Sequence, residues 1–200
     1  GARGVVAGAA RVLLHRGAAG GARAYVGVNV SPLRLEREGF VASGMASLEG
    51  HDLEPSDVVL EVTEGVLLVE RSRQSLRELR TYGIRVSIDD FGTGYSSLSR
   101  LHEFSFATVK IDRSFVKNLV EETGSAHLVE TILLMAKSMG LEVVAEGIEP
   151  REQLAKLTAL GCDFGQGYYF SRPMDSHTTQ KSIQQSIRDY VDVESAVPVV

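Results

Sequence analysis

The feature that most constrains the fold is a repeated alternation of short apolar, β-branched runs with longer amphipathic segments. Strands are predicted at Tyr25–Val30, Val58–Val62, Arg85–Asp90, Thr108–Asp112, Val143–Gly147 and Phe164–Phe170. Between and around them, helices are expected over Gly4–Arg16, Leu35–Leu48, Leu67–Tyr82, Ser97–His102, His127–Met139, Arg151–Leu160 and Ser176–Tyr190. The best of these is His127–Met139, where Leu128, Ile132, Met135 and Met139 recur at helical spacing and Gly140 follows as a stop. That stripe is a core face. Strand followed by helix, over and over, argues for an α/β chain with a parallel sheet and helices outside it. Residues 1–175 are expected to form one partial barrel-like domain, and residues 176–200 its last helix and a frayed apolar tail.

The second constraint is where the polar residues fall. Asn29, Glu61, Asp89, Lys110, Glu146 and Gln166 each lie at or near the end of a different predicted strand. In a parallel barrel those ends converge on one mouth, and catalytic residues come from several strands at once. Asp89 and Asp90 are adjacent carboxylates ahead of a flexible Gly92-Thr93-Gly94 turn. Neighbouring carboxylates repel unless a proton or a cation intervenes, so the pair is either a metal site or a solvated turn. With Asn29, Glu61, Asp90 and Glu146 the oxygen-only donor set suits Mg²⁺, Mn²⁺ or Ca²⁺, and is large enough for two ions. Lys110 either presents its charge to a water or phosphate, or pairs with a neighbouring carboxylate.

Composition removes several classes. A net charge of -5 argues against binding DNA or RNA duplexes through their phosphates, although a small anion held by metals is compatible with it. The lone Cys162 excludes an internal disulfide and fits a reducing, cytoplasmic compartment. No apolar run approaches the roughly 20 residues that span a bilayer; a parent protein could still be membrane-anchored. Neither GxGxxG nor a P-loop follows the first strand, which weakens a dinucleotide or NTPase reading.

The segments Asn29-Val30-Ser31, Glu61-Val62-Thr63-Glu64, Asp89 to Ser97 (DDFGTGYSS), Lys110 to Val116 (KIDRSFV), Ala145-Glu146-Gly147-Ile148-Glu149 and Gln166-Gly167-Tyr168 together resemble the EAL-domain family. The likeness runs in order from about Val26 to Pro173. It implies a modified (β/α)8 TIM-type barrel, Mg²⁺ or Mn²⁺ as a pair of ions, and hydrolysis of cyclic di-GMP to linear pGpG in bacterial signalling. By the same resemblance Asn29, Glu61 and Asp89 would hold one metal, and Asp89 would bridge to a second that Asp90 and Glu146 also serve. Lys110 would contact the hydrolytic water. Glu64 would hold the DDFGTGYSS loop, which is linked to homodimer formation, and Gln166 would be a further polar site residue. An upstream sensory or diguanylate-cyclase domain in a parent protein is also implied.

The sequence departs from that family in one place. No Glu-Ala-Leu tripeptide occurs, and six strands are predicted where the barrel has eight, so about the first two are expected to be missing. The edge at Tyr25–Val30 would then lie open, making the piece prone to association. Without the Glu-Ala-Leu glutamate, a non-catalytic receptor or interaction module is the competing reading. An unrelated metal-assisted lyase or aldolase is a third, for which Gly165-Gln166-Gly167 is too short a phosphate signal.

Overall fold

A computed structural model describes residues 11–16, 22–93, 101, 104–121, 123–173 and 178. A single sheet of seven strands runs in chain order. They are β1 (Arg11–Arg16), β2 (Ala22–Asn29), β3 (Val58–Thr63), β4 (Arg85–Phe91), β5 (Thr108–Ile111), β6 (Glu142–Ala145) and β7 (Phe164–Gly165). Strands β2 to β7 are mutually parallel, and β1 lies antiparallel on β2. The six parallel strands curl into half of a barrel. The helices are α1 (Pro32–Leu35), α2 (Phe40–Glu49), α3 (Glu70–Thr81), α4 (Arg113–Lys117), α5 (Thr123–Ser138) and α6 (Arg151–Ala159).

Alternation along each strand sorts side chains between two faces. One face supplies Val28, Leu60, Val62, Val86, Ile88, Val109, Ile111, Val143 and Ala145. These pack with Leu76 and Leu79 of α3, Val116 of α4, Val129, Ile132 and Ala136 of α5, and Leu157 of α6 in one apolar cluster. Full burial of a Leu or Ile is worth about 1.5–3 kcal/mol, so this layer carries most of the stabilisation. The helices stop where their sequence says they should. Gly83 and Gly140 adopt φ of 93° and 70°, and behind them Ile84 N–H and Leu141 N–H reach back to Leu79 O and Ala136 O. Only glycine takes that left-handed turn without strain.

Several boundaries differ from expectation. The helix expected over Gly4–Arg16 is, at Arg11–Arg16, strand β1, paired from Arg11↔Gly27 to Arg16↔Ala22; the remainder of it lies outside the described residues. The edge at Tyr25–Val30 is therefore covered rather than open. Glu36 to Gly39 interrupt the Leu35–Leu48 helix, with Gly39 at φ 74°, giving α1 and α2. A 3-10 turn at Glu64–Leu68 precedes α3. Asp112 is not in β5 but caps α4, accepting from Ser114 N–H at 2.9 Å. Strand β7 ends at Gly165, and Tyr168–Phe170 form a turn whose Tyr169 N–H donates to Ile148 O. Most of the Ser97–His102 helix and of the Ser176–Tyr190 helix lie outside the described residues.

Candidate metal and catalytic site at the strand ends

The face of the sheet turned away from the apolar cluster is polar at its C-terminal end. Glu61 on β3, Asp89 on β4, Lys110 on β5 and Glu146 directly after β6 come together there. Lys110 Nζ donates to Glu61 Oε2 at 3.0 Å and to Asp89 Oδ1 at 2.8 Å, and pairs with Glu146 Oε1 at 2.6 Å. Glu61 and Lys110 are 1% and 2% exposed, so this is an ion pair taken out of water, with no solvent to replace a lost partner. Burial works against the Lys110 charge, but Glu61, Glu146 and Asp89 outweigh it and hold its pKa above the ordinary lysine value. Of its two sequence-level readings, the structure displays the pairing with carboxylates.

Strand β4 is irregular just where its acids lie. Its register with β5 shifts between Ile88 and Phe91, and Asp90 sits at φ 52° in this bulge. Both Asp89 and Asp90 consequently present oxygens on the same side as Glu146, and the three carboxylates offer ligand atoms all within 4.8 Å of one another. Partial burial, then the charges of Asp89, Asp112 and Glu146, push the Asp90 carboxyl above its usual range, with Lys110 opposing. One lysine does not balance so many acids. The residual negative charge is the property a divalent cation would answer.

The other expected residues surround this centre. Asn29, exposed at the end of β2, is in register with Glu61, and Val30 N–H donates to Glu61 O at 2.9 Å. Glu64 accepts from Gly92 N–H at 3.1 Å, tying the β3 turn to the glycine turn after β4. Gln166 follows β7; its N–H donates to Ala145 O at 2.8 Å and its C=O accepts from Ile148 N–H at 3.0 Å. Gln166 Oε1 is buried and accepts no hydrogen bond among the described residues. The Gln166 backbone thus lies next to the residue before Glu146, and an acceptor with no donor among the described residues can take one from a ligand.

A family model described as EAL domain matches residues 5–173 of the 200. The chain belongs to the EAL domain family. Its sequence is 39% identical over 148 residues to the cyclic di-GMP phosphodiesterase RocR of Pseudomonas aeruginosa, covering 73% of this chain and 38% of RocR. It is 39% identical over 160 residues to the bifunctional diguanylate cyclase/cyclic di-GMP phosphodiesterase MucR of the same organism, covering 79% of this chain and 23% of MucR. The solved MucR phosphodiesterase in complex with c-di-GMP superposes with a TM-score of 0.74, covering 78% of this EAL chain and 64% of that one. The EAL domain of DcpA from Mycobacterium smegmatis is 37% identical with a TM-score of 0.76, covering 80% and 73%. This EAL chain therefore spans well under half the length of RocR and MucR.

One residue the sequence reading passed over is Gln153, 5% exposed in the first turn of α6. A glutamine three residues past a helix N-cap can reach back to cap backbone, and that spacing, Pro150 to Gln153, was its only sequence signal.

Proposed function

We propose that this chain is part of a metal-dependent phosphodiesterase that opens one phosphodiester of cyclic di-GMP, giving linear pGpG. The observation that carries the reading is Lys110, buried and bonded to carboxylates from neighbouring strands, beside the Asp89–Asp90–Glu146 cluster. Asn29, Glu61, Asp89, Asp90 and Glu146 would hold two Mg²⁺ or Mn²⁺ ions, since carboxylate and amide oxygens suit hard cations. Such ions, when bound, neutralise phosphate charge and make water a better nucleophile at neutral pH. With those carboxylates turned to the ions, the Lys110 ammonium that now pairs with them would be left to donate toward a water or phosphate oxygen. Glu64 restrains the glycine turn at Gly92, which keeps Asp89 and Asp90 aimed at the mouth. Gln166, whose amide oxygen has no hydrogen-bond donor among the described residues, would offer it to the same ligands.

The wider reading places the chain in a longer protein with a sensory or diguanylate-cyclase domain, as a homodimer, in the cytoplasm; the free thiol of Cys162 supports the last point. No helix among the described residues is long and apolar enough to cross a membrane.

The test is incubation with cyclic di-GMP and Mn²⁺, with products separated by chromatography. Wild type is expected to release pGpG, and Asp89→Asn and Glu61→Gln to lower the rate at least about 100-fold, the size of losing one electrostatic stabiliser. Binding without turnover would instead support a receptor. Neither binding nor turnover would sink both.

A further inference from the structure

We propose that Gln153 is a positioning residue that fixes the Glu146 loop against the Lys110 strand; its consequence for metal rests on the reading above. Its side chain is a buried amide used at both ends. Gln153 Oε1 accepts from Glu149 N–H at 3.0 Å, and Gln153 Nε2 donates to Lys117 O at 3.2 Å. Pro150, the N-cap of α6, has no N–H to donate to a side chain reaching back, so the glutamine oxygen accepts one residue further back, from Glu149. Lys117 is the last residue of α4, which starts immediately after the Asp112 cap and thus three residues beyond Lys110. Gln153 therefore joins the segment leaving β5 to the segment leaving β6.

That second segment is also held by the Glu146–Lys110 ion pair, by its backbone and by close packing. Glu146 N–H donates to Ile111 O at 3.1 Å and Ile148 N–H to Gln166 O at 3.0 Å. Between them Gly147, at φ 70°, passes so near Arg113 that an added Cβ would lie 2.5 Å from the Arg113 Cβ. The bond to Gln153 closes this turn at Glu149. Without it, a backbone donor and a backbone acceptor both lose their partner, and the turn loses one of the restraints that set Glu146 against Lys110. Residues that orient metal ligands in this way typically change affinity 10- to 100-fold when removed.

Two variants separate positioning from mere stability. Gln153→Met keeps the length and removes both bonds; Gln153→Glu keeps the acceptor for Glu149 and loses the donor to Lys117. The buried carboxylate should make Gln153→Glu the less stable of the two in thermal melts. Mn²⁺ titration followed by calorimetry should nevertheless rank wild type tightest, Gln153→Glu next, and Gln153→Met at least about tenfold weaker than wild type. Unchanged affinity in both variants, or affinity that simply follows melting temperature, overturns the proposal. Should wild type bind no Mn²⁺, the metal reading fails on its own. Amide hydrogen exchange then decides the role of Gln153: faster exchange at Gly147–Glu149 in Gln153→Met, with α6 amides from Leu154 to Leu157 unchanged, upholds it, and unaltered exchange at Gly147–Glu149 overturns it.

Discussion

The two faces of the sheet share one backbone but are stabilised in different ways. Toward the helices, Val62, Val86, Ile88, Val109 and Ile111 join an apolar cluster in which many contacts share the load. On the opposite face Glu61, Ser87 and Lys110 are as deeply buried, but polar. Val59 and Val144, buried on that side, are not part of the cluster. An apolar layer loses stability in proportion to the volume removed. A buried ionic centre does not: its members are stable together and costly apart. The difference is what one expects when one face builds the fold and the other reserves charge for a ligand.

The largest effect should come from breaking the ionic face at its cation. Lys110→Met is expected to cost about 3–5 kcal/mol in urea unfolding with chelator present, because Glu61 is left buried with no partner. Added Mn²⁺ should restore part of the loss. Since the folded pKa of Lys110 lies above its ordinary value of 10.5, its contribution is complete below that value and fades as pH rises through the folded one. Alkaline melts should thus weaken only beyond the ordinary lysine range. If Lys110→Met unfolds like wild type in chelator, the contrast between the faces is wrong.

A slightly smaller cost is expected on the apolar face. Leu76→Ala, at a fully buried position of α3, should lose about 3 kcal/mol as a cavity forms. Its folded fraction should keep the Mn²⁺ affinity of wild type, because Leu76 packs on the helix side of the sheet and the carboxylates lie on the other. A parallel fall in affinity would show that the two faces are coupled through the sheet.

Much of this contrast was legible in the sequence. The alternation of strand and helix and the glycine stops are local signals, and they place Glu61, Asp89, Lys110 and Glu146 at strand ends without any knowledge of contacts. What escaped was decided by pairing. In the sequence Val5, Ala9, Val12 and Leu13 suit one helical stripe, and the antiparallel partner β2 settles Arg11–Arg16 as strand. The aromatic run Tyr168–Phe170 has strand propensity, yet Gly167 brings the chain against the backbone of Ile148 and turns it away. The Asp90 bulge has no composition cue, because aspartate tolerates a left-handed backbone but does not announce it. Gln153 is invisible for a similar reason: a polar residue in a first helical turn is ordinary until its two partners are seen.

The smallest predicted effect tests whether the ionic face is built for a cation. The Asp90 carboxyl has its pKa raised, first by burial and then by Asp89, Asp112 and Glu146. A raised carboxyl pKa means that the folded state holds the proton more tightly than the unfolded chain. The stabilisation this gives is complete below the ordinary value of 3.8 and is lost as pH rises through the folded value. At neutral pH the ionised Asp90 is therefore a cost in metal-free protein. Asp90→Asn keeps the shape and removes the charge, so chelator-treated protein at pH 7 should gain a little stability. Solvent at the exposed rim of the side chain screens the repulsion, which limits the gain to about 0.5 kcal/mol. At acid pH the gain should vanish. With Mn²⁺ the order should reverse, because wild type gains a ligand's worth of binding energy that the variant forgoes. Melting curves in chelator and in Mn²⁺, at both pH values, read all of these differences. A variant less stable than wild type in chelator at pH 7 would mean that Asp90 is held in place by its neighbours and not strained against them, and the acidic mouth would then need no cation to relieve it.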